Sequence, residues 1–388
     1  MMAAAAQRPV WAVRLVLIPA VLASVAPAQT VMDPARLSPS LKSFDPGPHD
    51  LPLRCEVTPF RPMLSFNFHF QAGYAVRIPM NQFEGAGHGW ATLVRITPKD
   101  GNGQPVYLGE RMRLPNVPPN KVEAEAGGVY LLGEGRYHVS WKLIDDSGRV
   151  CRKDWDVEAK LRHSEHAVKV ALPPDTVTDL SLRGAPAADR VKDDAAPIRL
   201  TVLLHAAPMS PRRTRMGARD RILLLGTLSA LLERVPVRSV RVVVFSLEQQ
   251  KELYRQDRFV PRQLERVARS MDALQLDLVD YRVLQNRTGH LDLLADMVNR
   301  ELKEPEPSDV VLFLGPLARY SDKVPAEELE KPPAATPRFF YFQYRPFLQA
   351  QAELSDSIHR AVTKLKGKVM VIQTPGDLAK GIGQIERK

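Results

Sequence analysis

The sequence predicts two fold classes in series: an immunoglobulin-like β-sandwich, then a doubly wound, mainly parallel α/β sheet of Rossmann-like type. Between Leu53 and Leu182, short segments alternate polar and apolar residues, the period of half-buried strands, with turn residues between them. From Ile198 onward, nearly unbroken apolar runs alternate with amphipathic stretches. Strands covered on both faces and their crossover helices read in that way. The 33 prolines among 388 residues argue against a helical bundle, because each removes a donor and breaks a helix interior.

Residues 1–28 have the layout of a secretory signal peptide. Arg8 and Arg14 supply positive charge, Leu15 to Ala23 is apolar around Pro19, and Ala26-Pro27-Ala28 offers small residues for cleavage. The apolar run is shorter than the ~18 residues of a membrane span. A periplasmic or secreted location is therefore expected, with no transmembrane span after the signal is removed. Export also sets the redox environment, so the two cysteines, Cys55 and Cys151, are expected to form a disulfide. The net charge of +10 suits an acidic partner. Lys and Arg are nonetheless spread among acids along the whole chain, and export argues against nucleic acid.

Residues 29–52, rich in Pro, Ser and Asp, read as a flexible leader. In the β-domain, 53–182, strands are expected at Ser65–Phe70, Tyr74–Ile78 and Trp90–Ile96, with a loop at Gly85–Gly89. A hairpin spans Arg136 to Leu161. Asp145-Asp146-Ser147-Gly148 makes its turn, which assigns those two carboxylates to turn geometry rather than acid–base chemistry. Residues 183–197 carry few large apolar side chains and read as a linker.

In the α/β domain, 198–388, strands are expected at Ile198–Leu204, Val240–Phe245, Val310–Leu314, Phe339–Tyr344 and Val369–Ile372. Helices are expected at Ile222–Leu232, Leu264–Leu274, His290–Leu302, Leu354–Leu365 and Gly376–Ile385, with an extended segment at Leu276–Leu284. The sequence has neither a Gly-x-x-x-x-Gly-Lys phosphate loop nor a Gly-x-Ser-x-Gly nucleophile elbow. His163, Glu165 and His166 lack His-Glu-x-x-His spacing and read as exposed polar residues.

The order of these elements resembles the von Willebrand factor type A domain, over about half the chain. Val240-Arg241-Val242-Val243-Val244-Phe245-Ser246 is similar to that family's second strand, which ends in Phe-Ser. Asn286-Arg287-Thr288-Gly289-His290-Leu291 resembles the loop offering a metal-binding Thr, and Val310 to Gly315 the strand that usually ends in Thr-Asp-Gly. Thr374-Pro375-Gly376-Asp377-Leu378, followed by Ile382, resembles the closing strand and helix of bacterial members. The resemblance implies a Mg²⁺ site built on an Asp-x-Ser-x-Ser loop, since a hard cation takes oxygen ligands. This chain departs from it. His205 stands where the Asp would be, Ala207 and Met209 replace the two Ser, Gly315 stands nearest the second Asp, and Thr288 alone survives.

No metal and no cofactor is therefore expected. The same loop carries Arg212, Arg213 and Arg215 ahead of a helix, whose amino end favours anions. Two descriptions of these arginines stand open, an anion or acidic-partner site and a solvated basic loop. The expected function is a non-catalytic binding or scaffold protein, engaging a protein partner across His205, Arg212, Arg213, Arg215, Thr288 and Gly315. Two alternatives stand beside it: an extracytoplasmic enzyme whose groups converge only in the fold, and a structural component of an envelope assembly.

Overall fold

The computed structural model describes residues 29–48, 50–100, 103–118, 122–180, 198–210, 213–272, 274, 281–325, 327–330, 337–345 and 355–387. The expected signal peptide (1–28), the linker (183–197) and Arg212 lie outside the described residues.

The first part of the chain is β1 (Thr30–Met32), α1 (Pro39–Lys42), β2 (Leu51–Pro52), β3 (Glu56–Leu64), β4 (Phe70–Pro79), β5 (Gly89–Pro98), β6 (Val106–Arg113), β7 (Glu123–Leu132), β8 (Gly135–Asp145), β9 (Arg149–Ala159) and β10 (Val177–Asp179). These strands make a six-stranded sheet, β1-β6-β5-β8-β9-β2, and a four-stranded sheet, β10-β7-β4-β3. The pairings are antiparallel except β2 with β9. One core lies between the sheets, where Tyr74 and Val76 of β4 and Tyr130 of β7 meet Val94 of β5 and Trp141 of β8. Tyr74 and Trp141 pack edge to face with centroids 5.5 Å apart, the arrangement ring quadrupoles favour. Cys55, just before β3, is bonded to Cys151 of β9 with Cα atoms 6.2 Å apart, so the disulfide ties one sheet to the other.

Three expectations change here. The stretch 29–52 carries regular elements: β1 pairs with β6, while Leu37 and Phe44 pack on Leu93 and Tyr107. Lys142 Nζ donates to the Ser43 carbonyl at 2.6 Å and lies over the Phe44 ring. Burial, with the charge of Arg152 adding to it, pushes this ammonium down to about 8, and Asp50 partly offsets both. Anchors this far apart follow neither the helix nor the strand period. The second change is at Ser65–Phe70, whose alternation belongs to a reversal between β3 and β4. Phe68 N–H donates to the Ser65 carbonyl, and Phe68 takes φ 59°. The third is Glu165, which is buried in a 3₁₀ turn and accepts from Arg162 N–H at 2.9 Å.

The second part is β11 (Ile198–His205), α2 (Ala218–Arg234), β12 (Val237–Ser246), β13 (Lys251–Gln256), α3 (Leu264–Asp272), α4 (Tyr281–Gln285), α5 (Gly289–Lys303), β14 (Val310–Pro316), β15 (Arg338–Tyr344), α6 (Ser357–Lys364), β16 (Lys368–Ile372) and α7 (Pro375–Glu386). Its sheet has the order β13-β12-β11-β14-β15-β16 and is parallel except for β13, an antiparallel edge. One face packs on α2, α3 and α7 through Val202, Leu204, Val242 and Leu312. The other packs on α5 and α6 through Leu203, Val243, Val311 and Tyr341. The protein is thus of mixed α/β content, with a mainly parallel sheet covered on both faces, as its apolar runs predict. Strand β13 reads Lys-Glu-Leu-Tyr-Arg-Gln and has no apolar run to announce it. Of the segment expected to be extended, 276–280 lies outside the described residues, and 281–284 falls in the helix Tyr281–Gln285. Helix α6 starts at Ser357, later than expected, because the Asp356 side chain caps it by accepting from His359 N–H.

The reversal after β3 reaches into this second core. Phe68 is buried among its members, and Phe66 meets Tyr344 edge to face at 5.2 Å. Left-handed backbone at a bulky residue costs about 1–3 kcal/mol, and burial of the Phe68 ring offsets it. Arg234 of α2 donates to the Lys169 carbonyl at 2.6 Å. Among the described residues, no helix is long and apolar enough to cross a membrane.

Candidate functional site

The chain leaves β11 for β12 on one side and later resumes at β14 on the other, so the crossovers diverge between β11 and β14. In open α/β sheets, ligands bind outside the carboxyl ends of the strands at such a point. His205 ends β11, and Gly315 is the penultimate residue of β14.

The two residues are in contact. A Cβ on Gly315 would lie 2.7 Å from His205 Cβ and 2.8 Å from its carbonyl oxygen. Only a residue without a side chain fits there. The His205 side chain is fully buried, and its ring stacks on Phe245 at 5.3 Å. Its Nε2 is 3.3 Å from Glu248 Oε2, to which Ser246 Oγ also donates at 3.3 Å. Burial raises the Glu248 carboxyl, but the His205 imidazole, its hydrogen bond and the Arg319 charge together bring it below its ordinary value. Gly315→Ala is expected to cost about 1–3 kcal/mol by overpacking this contact. Urea denaturation of the variant beside the parent protein checks it.

Around this pair the strand-end loops are tied together. Arg319 donates to the Arg213 carbonyl, which joins the basic loop after β11 to the segment after β14. Arg213 and Arg215 are exposed. Thr288 precedes α5 without capping it, and its hydroxyl donates to Asn286 Oδ1 at 3.2 Å. Gln250, two residues after Glu248, donates to the Asn286 carbonyl at 2.7 Å, which holds the Thr288 loop beside the loop after β12. His290 stacks on Tyr320 at 4.0 Å, with its Nε2 3.4 Å from Asp322. Burial and the Glu248 charge raise the Tyr320 hydroxyl. Beneath them Asp356 is buried and accepts from Ala318 N–H (2.8 Å), Tyr341 Oη (2.9 Å), Gln343 Nε2 (3.1 Å) and His359 N–H (2.7 Å).

Of the expected site residues, the structure brings His205 and Gly315 into contact and links Arg213 and Thr288 to them through neighbouring loops. Arg215 is exposed on the Arg213 loop. Glu248 was not singled out from sequence. Its one signal was position, two residues after the Phe-Ser strand end. The donors present do not fit a hard cation. The one carboxylate next to His205 already faces an imidazole, where Mg²⁺ takes near-octahedral oxygen.

No family model matches the chain, and no curated protein matches it. Solved structures give weak likenesses. A Bordetella pertussis protein described as putative ApaA is 16% identical, covering 29% of this chain and 99% of its own, with a TM-score of 0.18. A conjugate transposon protein from Bacteroides vulgatus is 14% identical, covering 32% and 98%, with a TM-score of 0.16. A Bacteroides uniformis beta-glucuronidase is 8% identical, covering 78% and 36%, with a TM-score of 0.19. These scores assign the chain to no family.

Proposed function

We propose that this is an exported, non-catalytic binding protein, in which an immunoglobulin-like β-domain positions a von Willebrand factor type A-like domain that engages an acidic protein partner without a metal. One observation carries the reading: at the strand ends where that family would hold its cation, His205 and Glu248 form a buried pair 3.3 Å apart. Glu248 already gives one oxygen to the His205 imidazole, which leaves a single unpartnered carboxylate oxygen where a hard cation takes about six oxygen ligands. The arrangement also favours binding over catalysis. General acid–base work needs titratable groups within reach of a substrate, whereas both side chains of this pair are buried. What this side of the molecule does present is Arg213 and Arg215, both exposed, on a loop that extends over Arg319. Arginine offers a planar fork to carboxylates, which suits an acidic surface.

The test replaces Arg212, Arg213 and Arg215 with Ser in the full chain and measures binding to acidic candidate proteins from the envelope by interferometry at two salt concentrations. Affinity is expected to fall by about tenfold or more, with a weaker salt dependence. Unchanged affinity refutes the reading.

A further inference from the structure

A cavity of about 680 Å³ lies between the loop that follows β14 and the outer side of α6. It is tied to the His205 site through His359, whose N–H donates to Asp356. Four of its lining side chains are basic, Lys323, His359, Arg360 and Lys364, and none is acidic. Pro325 contributes apolar surface to it.

The charge arrangement is unfavourable as it stands. Arg360 and Lys364 are four residues apart on α6, hence neighbours on one helix face, and like charges at that spacing repel. Lys364 Nζ donates to the Val324 carbonyl only at 3.4 Å, a long contact. Arg360 Nε and His359 Nδ1 are shut off from solvent and have no hydrogen-bond partner among the described residues. Buried polar groups ordinarily find a partner, and neither nitrogen has one behind the cavity wall. An anion in the cavity would relieve the repulsion and pair with the basic side chains that line it. The volume sets its size, since pockets of roughly 300–1,000 Å³ hold organic molecules rather than a bare ion.

We infer that this cavity binds a small organic ester of phosphate or sulfate, with the tetrahedral oxyanion at Arg360, Lys364 and Lys323 and the organic body against Pro325. The site is independent of the reading at His205. Calorimetry on the full chain tests it with 2-naphthyl phosphate, 2-naphthyl sulfate, 2-naphthol and inorganic phosphate. One or both esters are expected to bind, and which one does distinguishes the two head groups. Naphthol, which lacks the charge, and inorganic phosphate, which lacks the body, are expected to bind about tenfold or more weakly. The double variant Arg360→Gln, Lys364→Gln is expected to lose about tenfold in ester affinity, and Lys323→Gln, on the loop rather than the helix, to lose affinity as well. The charge-matched control Lys368→Gln, Lys380→Gln is expected to keep it. Absence of ester binding overturns the proposal. So does naphthol binding as tightly as the esters, or unchanged affinity in both the α6 and the Lys323 variants.

Discussion

Replacing Cys55 and Cys151 together with Ser is expected to destabilise the protein by about 4–5 kcal/mol, the chain-entropy value for a loop of roughly 100 residues. The sequence separation is 96, and the bond joins two sheets that share a core but no backbone pairing. Its loss frees β3, an edge strand whose Phe60 and Met63 are exposed and whose hydrogen bonds run to β4 alone. Urea denaturation of the oxidised protein and the double-Ser variant measures the difference. A change below about 1 kcal/mol would mean that core packing already supplies the constraint.

Glu301→Ala is expected to cost about 2–4 kcal/mol, the loss of charge-assisted hydrogen bonds inside a buried ion network that keeps its other members. Glu301 of α5 is fully buried and accepts from Thr201 Oγ1 of β11 at 2.9 Å and from Arg241 Nη1 of β12 at 3.0 Å. Arg241 also meets Glu304 at 2.9 Å and pairs with Asp257. Thr201 meets Ser308 Oγ at 2.7 Å. The carboxylate thus pins a helix across two central strands, and the alanine leaves a mostly buried guanidinium with two carboxylates in place of three and the Thr201 hydroxyl with Ser308 alone. Glu301→Gln keeps an acceptor oxygen and loses the charge, so its cost is expected to be smaller. Equilibrium denaturation of both variants ranks them, and equal costs would assign the effect to the charge alone.

How legible the molecule was in its sequence depended on how each element is buried. Strands β11, β12, β14 and β15 are covered on both faces, so each wrote itself as an apolar run. The β8–β9 hairpin was equally clear, because Asp145 to Gly148 announces its turn. Its Asp145 carboxylate accepts from Ser147 and Arg149 N–H at 3.0 and 2.8 Å. Where burial is confined to isolated positions the pattern failed. Leu37 and Phe44 dock the segment 29–52 without a period, and Phe66 and Phe68 alternate like a strand while serving as two plugs on a turn. The site was half legible. His205 and Gly315 were legible because each closes an apolar run that becomes a central strand. Glu248, Arg319, Tyr320 and Asp356 lie in loops, where no periodicity applies and only three-dimensional contact reveals a partner. The buried acid of Glu165, set in a short 3₁₀ turn, escaped for the same reason.

The central claim of the proposal, that an internal imidazole–carboxylate pair stands at the strand ends in place of a cation site, is tested most directly by titrating the full chain with Mg²⁺ and Mn²⁺ in a calorimeter at neutral pH. No saturable uptake is expected in the parent protein. Stoichiometric, tight uptake of either ion that is abolished by Glu248→Gln would contradict it, because the carboxylate would then be a metal ligand rather than the partner of His205.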